Sequence, residues 1–575
     1  MHIIYGRSQS GKSKYIYEKI KRECTGKTFI VTPEQFSFSA EKRLVDTIPN
    51  GATTNVEVLS FERMAHRVMQ SMGLFNKSII TKSGKAMIIY DAIAKHQKEL
   101  KFLGKTQENV ETVLTGITEF KKHNITVDSL RKKQEEEKNP YLQAKLNDMR
   151  ILYEELEERT IDYIDENDVL TILASNIQKS HLFDGATFYI DEFAGFTKQE
   201  YLVIRELNNV ANVYIIVCSD EIKITKPPEN DVFYDNKLTL QTLFEITDYT
   251  IKDENIIKIE NTEKSLDLEH LERNLFGVPY KVFYDESKAI SLTLAQNPYE
   301  EIINTAEEIT RLVRNEGYRY KDISIISKEI DTYGDLAKVI FKEYEIPLFV
   351  DETKDLSRNI VIRYALSIID IFDQNFSYES MLNYLKTGFI QIDNLFELEN
   401  YVIKYGIKGQ KWYAKEWNEF ADEQKKIIDP LIDLKRSLSG RKSAKQISIE
   451  LAKFLNENLN DYKPEIEKND ELCDAWNILI ELLEEIAKIF GEEQMSFERF
   501  SKILKSGLQN RDLGQIPETQ DKVILGDVDR SRSGNKRAVF IVGVNDMVFP
   551  TVNKSEGFFS DQERDLLKDE GFELA

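Results

Sequence analysis

The sequence predicts an α/β protein made of two parallel-sheet domains, each interrupted by an α-helical insertion. Three observations carry that expectation. Short apolar runs alternate with amphipathic stretches near the N-terminus, the pattern of parallel strands joined by crossover helices. Two long segments, about 85–180 and 360–510, instead repeat apolar residues every three or four positions. At 575 residues the chain also exceeds what one core accommodates, so two to four domains are expected.

In chain order, HIIY (2–5) is a short apolar strand, GRSQSGKS (6–13) a turn and KYIYEKIKREC the helix that follows. The turn has the spacing G-x-x-x-x-G-K-[ST], which cradles nucleotide phosphates at a helix N-terminus. Gly6, Arg7, Ser8, Gln9, Ser10 and Gly11 would supply the backbone cradle. Lys12 would neutralise the outer phosphates and Ser13 would hold Mg2+, so ATP is the expected cofactor. KTFIVTPEQFSF (27–38) and VEVLSFERMAHRV (56–68) each begin with a strand. After the first helical segment the sheet resumes at ATFYIDEF (186–193), an apolar strand ending in two acids. There Asp191 is the second candidate for Mg2+, and Glu192 the candidate to orient an attacking water. VANVYIIVCSD (210–220) is another buried strand.

The second α/β region opens with SLTLAQ (291–296), read as a strand, before the helix NPYEEIINTAEEITRLVRNEG, and continues with the strand YKDISIIS (320–327). DKVILGDVDRSRSGNKRAVFIVGVNDMVFP (521–550) adds two strands around a basic loop. The expected boundaries are therefore 1–85 with 185–285 for the first α/β domain and 86–184 for its insertion. The second domain takes 286–360 with 511–575, and its insertion 361–510.

Net charge is -22, which argues against indiscriminate coating of nucleic acid but leaves room for a local basic channel. Cys24, Cys218 and Cys473 are scattered, with no C-x-x-C, which excludes a disulfide framework and suits a reducing cytoplasm. No leader and no long apolar run is evident, so neither secretion nor membrane insertion is expected. His66 and His123 read as surface or core residues and KKQEEEK (132–138) as a solvated face.

GRSQSGKS, TPEQFSF, VLSFERMAHRV, YIDEFAGFTKQE and VDRSRSGNKRAVFIVGVNDMVFP occur in the order, and resemble the segments, of the B subunits of AddAB-type ATP-dependent helicase/nucleases, relatives of the UvrD-like superfamily 1 helicases. The resemblance covers essentially the whole chain. It implies two RecA-like domains with helical insertions, and a role in processing DNA double-strand breaks for recombination. It implies an AddA-type motor subunit as partner, and DNA ends and single-stranded DNA carrying a Chi signal as ligands. The family's nuclease domain is held by an iron–sulfur cluster. With three scattered cysteines, and GFELA closing the chain soon after DQERDLLKDE, neither nuclease nor cluster is expected here.

Departures from the working helicases bear on mechanism. Five residues precede Gly6, so an upstream adenine-reading glutamine has no counterpart. Ala194 stands where those enzymes have glutamine, Ser219, Asp220 and Glu221 replace a Gly-Asp and sensor glutamine, and VDRSRSG replaces a coupling His-x-x-Lys-Gly. Lys328 stands in place of a phosphate-contacting arginine and lacks its bidentate fork. The chain is thus expected to bind ATP and single-stranded DNA without being a helicase, motor or nuclease alone. A DNA-stimulated ATPase switch, an active superfamily 1 helicase and a scaffold that binds no nucleotide are the alternatives. The resemblance places DNA against Thr32 and Phe36, against Ser60, Phe61 and Arg63, and against Arg530, Arg532, Lys536 and Arg537. The alternative for the last group is a solvated hairpin.

Overall fold

The computed structural model describes all residues except 24–25, 48–54, 75–76, 104–108, 124, 224, 229, 261–263, 278, 353, 514–520, 528–535, 550–556, 570–571 and 573–575. It is an α/β structure with parallel sheets and many helices. β1 (His2–Gly6), α1 (Lys12–Glu23), β2 (Thr28–Val31), α2 (Ser37–Thr47), β3 (Val56–Leu59) and α3 (Phe61–Ser71) alternate as the apolar runs predict. The chain leaves this layer through β4 (Ser78–Ile80) and α4 (Lys82–Lys95) and returns through β5 (Tyr163–Asp165), which pairs parallel to β4. β6 (Thr187–Ile190), β7 (Asn212–Cys218) and β8 (Ile256–Lys258) then complete a sheet of order β3-β2-β6-β7-β1-β8. Every pair in it is parallel.

Parallel strands are covered on both faces, which is why they read as continuous apolar runs. On one face α1 and α2 bury Ile16, Tyr17, Ile20, Ala40 and Leu44 against Ile4, Ile30 and Ile216. On the other, α3 and the helices Val169–Ser180 and Lys198–Val210 enclose Ile3, Val31, Phe188, Ile190 and Ile215. The arrangement brings the C-terminal ends of β1, β2, β3, β6 and β7 to one edge.

A second parallel sheet, β10-β11-β9-β12, is formed by β9 (Ile323–Ser327), β10 (Leu348–Val350), β11 (Val523–Asp527) and β12 (Ala538–Ile541). β11 and β12 flank β9 and both run parallel to it, and residues 528–535 between them lie outside the described residues. β11 and β12 are not paired with each other. The strand expected in SLTLAQ does not form: residues 291–295 run unpaired, with Leu292 and Leu294 88% and 91% exposed. Alternation makes a segment suitable for a sheet, but pairing also needs a neighbour within reach. The chain just upstream is held elsewhere, because Ser287 Oγ and the amides of Lys288 and Ala289 donate to Asp267 at 2.9, 2.9 and 2.8 Å.

The helical stretches form two further cores that meet at α4. One spans residues 356–508 and includes Met87; the other takes Ala86, Ile88 and Ile89 with the helices Val110–Lys122 and Pro140–Arg159. A helix buried on nearly all sides shows little amphipathic contrast, as the sequence KAMIIYDAIAK does. Arg499 clamps Asp91 of α4 with two 2.7 Å bonds. Phe558, Phe559, Leu567 and Phe572 also enter the second of these cores, and Lys145 there donates to Phe558 O at 2.9 Å and Glu563 at 2.8 Å. Among the described residues no helix is long and apolar enough to cross a membrane.

The seating of the C-terminal segment is testable. Phe559 is fully buried with its ring 6.0 Å from that of Phe120. Phe559→Ala is expected to destabilise the transition that unfolds this helical core by about 3–5 kcal/mol in urea titrations, the range for emptying a buried aromatic site. A loss below about 1 kcal/mol, typical of surface changes, would contradict the packing.

Candidate nucleotide-binding site

The loop Arg7–Gly11 joins the interior of the first sheet to the N-terminus of α1, where first-turn amides lack carbonyl partners within the helix and the helix dipole favours an anion. Its glycines are required for different reasons. A Cβ on Gly6 would lie 2.2 Å from Ile259 O and 2.6 Å from Ser10 Oγ, so no side chain fits. Gly11 has open space around it but a φ of +88°, a left-handed conformation that glycine adopts without strain. Ser8 and Gln9 are exposed at the tip, Gln9 also at positive φ. Ser10 is buried, and its hydroxyl has no hydrogen-bond partner among the described residues.

Lys12 curls back over the loop, and its ammonium donates to Gly6 O at 2.8 Å and Arg7 O at 2.7 Å. Burial depresses its pKa. The ammonium is thus poised inside the loop on carbonyls, weaker partners than a phosphate. Ser13 Oγ donates to Asp191 Oδ2 at 2.7 Å. Asp191, directly after β6, is 7% exposed, and burial holds its pKa above the usual carboxylate range despite the Ser13 hydroxyl and the Glu192 amide, which donates to Oδ1 at 2.8 Å. Residues 178 apart in sequence therefore meet because β7 alone separates β6 from β1.

Two anchors that sequence reasoning missed hold this constellation. Glu192, at φ +70°, forms an ion pair with Arg43 of α2, Nη2 to Oε1 2.6 Å. Arg7 pairs with Glu272 at 2.9 Å and with Asp220 at 3.6 Å, and lies over the Phe233 ring at 5.1 Å. Asp220 in turn shares the fully buried Lys237 with Glu221 and Asp231, at 3.1, 3.1 and 2.6 Å. Burial alone would lower the Lys237 pKa, but the three carboxylates more than offset it and raise it. Neither Arg43 nor Lys237 carries a motif; each is one basic residue in an ordinary helix. The acids at 220, 221 and 231 were the only available signal for Lys237.

The other expected contacts divide. Thr32, Ser60 and Lys328 directly follow β2, β3 and β9, at the C-terminal edges of their sheets. Thr32 and Ser60 are buried, and Ser60 caps α3 by accepting from the Arg63 amide at 3.2 Å. Phe36 and Phe61 are core residues, Phe61 packing 5.3 Å from Phe193, whereas Phe38 in the same TPEQFSF segment is 62% exposed. Arg63 is half exposed and pairs with Glu34 at 3.1 Å and Glu41 at 3.6 Å. Lys536 and Arg537 sit at the opposite, N-terminal edge of the second sheet. There Lys536 donates to Lys321 O at 2.6 Å, and Arg537 stacks 3.9 Å from the Tyr318 ring. The parallel pairing of β12 with β9 requires that position. Arg530, Arg532 and Cys24 lie outside the described residues.

Comparison with known proteins adds a family. Residues 3–272 match the family model described as ADDB, N-terminal. The whole chain is similar to the B subunits of ATP-dependent helicase/deoxyribonucleases, with 37% identity to that of Clostridium novyi (strain NT) and 35% to that of Clostridium botulinum (strain Loch Maree / Type A3). In both cases 100% of this chain aligns with 54% of the relative, so the chain spans about half their length.

Lys237→Met would leave three carboxylates without their shared cation. We expect a loss of about 2 kcal/mol in denaturant titrations, below the full cost of breaking a buried pair because Asp220 and Glu221 keep access to water. No change in stability would mean that the cluster does not hold the 220–237 segment behind the loop.

Proposed function

Because this chain belongs to the AddB family, we propose that it is the helicase-like part of a B subunit that grips Mg-ATP and single-stranded DNA but does not itself translocate. The observation that carries the reading is the loop with Lys12 folded into it and Ser13 bonded to Asp191. The two sheets would be RecA-like domains 1A and 2A, with the helical cores as their insertions 1B and 2B.

The residues suit the nucleotide and its ion. The Ser10 hydroxyl is a buried polar group without a partner among the described residues, and the Lys12 ammonium needs only to leave two carbonyls to meet a phosphate. Ser13 and Asp191 are hard oxygen donors suited to Mg2+, which would neutralise phosphate charge. Among the described residues no three or more His, Cys, Asp or Glu gather as a metal site. Magnesium on a phosphate loop needs no such group, since water and nucleotide oxygens supply the remaining ligands. Gly6 to Gly11 would wrap the phosphates while Arg7, tied to Glu272 and Asp220, keeps the loop in place.

DNA would cross the C-terminal edge of the first sheet near Thr32, Ser60 and Arg63, with exposed Phe38 available for stacking. The motor would be an AddA-type partner, and the shared task the processing of DNA ends for recombination. A lysine at 328, with alanine at 194 and glutamate at 221, leaves the chain short of the arginine and glutamine contacts by which related motors couple hydrolysis to movement.

Lys12→Ala tests the grip. Charge-assisted hydrogen bonds are worth about 1.5–3 kcal/mol, so affinity for a fluorescent ATP analogue with Mg2+ should fall about 10- to 100-fold while thermal stability is retained. Unchanged affinity would refute nucleotide binding at this loop.

A further inference from the structure

The pairing of Arg43 with Glu192 has a regulatory use. We propose that Arg43 is a positioning residue that latches Glu192, and that single-stranded DNA bound along α2 releases the latch. DNA would thereby control hydrolysis at the nucleotide site. The inference rests on the nucleotide reading of the loop and assigns its control to one ion pair.

The geometry is specific. Glu192 sits one residue beyond the buried Asp191, its backbone forced to φ +70° while its amide is committed to Asp191 Oδ1. Non-glycine residues in that region of φ carry strain of about 1 kcal/mol or more, and such positions concentrate at switches. The side chain ends on the Arg43 guanidinium at 2.6 Å, with 16% of the Glu192 side chain and 35% of the Arg43 side chain exposed. A carboxylate oxygen engaged by a guanidinium has fewer lone pairs to direct at a water. The latch therefore opposes the role for which a carboxylate at this position is suited.

Arg43 is also placed to receive a signal. α2 is packed against α1, the helix that the phosphate loop enters, and Tyr17 of α1 donates to Ala40 O of α2 at 3.3 Å. The same helix, with the turn before it, presents the groups facing the candidate DNA edge. Phe38 is exposed on it, and Glu41 together with Glu34 holds Arg63 of α3. A phosphate backbone arriving at this edge would compete with Glu34 and Glu41 for Arg63 and stack a base on Phe38. Either event acts on α2, which also carries Arg43. One helix thus links the DNA-facing charges to the acid beside the nucleotide loop, through contacts within 3.6 Å at each end.

Arg43→Gln keeps a polar side chain of similar length and removes the charge. In the isolated chain, with saturating Mg-ATP and no DNA, this variant should hydrolyse ATP about fivefold faster than the parent, the equilibrium factor commanded by a partly exposed ion pair. Its affinity for a non-hydrolysable ATP analogue should stay within about twofold, because no phosphate contact is lost. Oligothymidylate should accelerate the parent and not the variant. A readout independent of turnover is amide hydrogen exchange: oligothymidylate should increase exchange over residues 191–196 in the parent, and Arg43→Gln should show that increase before DNA is added. Equal or slower hydrolysis by Arg43→Gln, with nucleotide still bound, would overturn the latch while leaving the nucleotide reading intact, as would exchange over 191–196 that ignores both DNA and substitution. Failure of the parent to bind nucleotide would overturn both.

Discussion

The hydrogen bond from Ser13 to Asp191 is the contact on which the candidate site depends. It crosses from the first turn of α1 to the residue after β6 and ties down a carboxylate that the sheet has removed from water. Burying such a group costs several kcal/mol unless donors and cations surround it. The chain meets that constraint with the Ser13 hydroxyl, the Glu192 amide and the nearby charges of Lys12 and Arg43. Turning the Glu192 amide toward Asp191 accompanies the positive φ there, and that turn sends the Glu192 side chain to Arg43.

The loop is braced from its other side by a second set of charges. Arg7 reaches Glu272 and Asp220, and Lys237 gathers Asp220, Glu221 and Asp231 beneath the end of β7. Every strand involved runs in the same direction, so the functional ends collect at one edge without any long-range motif being required. That is the usual consequence of a parallel sheet, whose ligands sit beyond the carboxyl ends of its strands.

Much of this was legible in the sequence because it is local or periodic. The strand, glycine loop and helix at residues 2–23, the apolar strand ending in Asp191 and the helical stretches each carry their signal within a few residues. What was not legible depends on partners distant in sequence. SLTLAQ alternates correctly yet finds no strand to pair with, and its upstream neighbours are held by Asp267. Phe36 and Phe61 are the aromatic residues that the motifs single out, but they fill the core, while Phe38, two residues beyond Phe36, faces solvent. Lys536 and Arg537 belong to a basic run whose position follows from β12 lying parallel to β9, a fact of sheet order that no local pattern contains.

A grip without a motor is the central claim, and strand displacement tests it most directly. The chain alone, with saturating Mg-ATP and a forked DNA duplex bearing a single-stranded tail, is predicted to bind the nucleotide and the tail and to release no strand above the ATP-free background. ATP-dependent strand release by the chain alone, abolished by Lys12→Ala, would contradict the account.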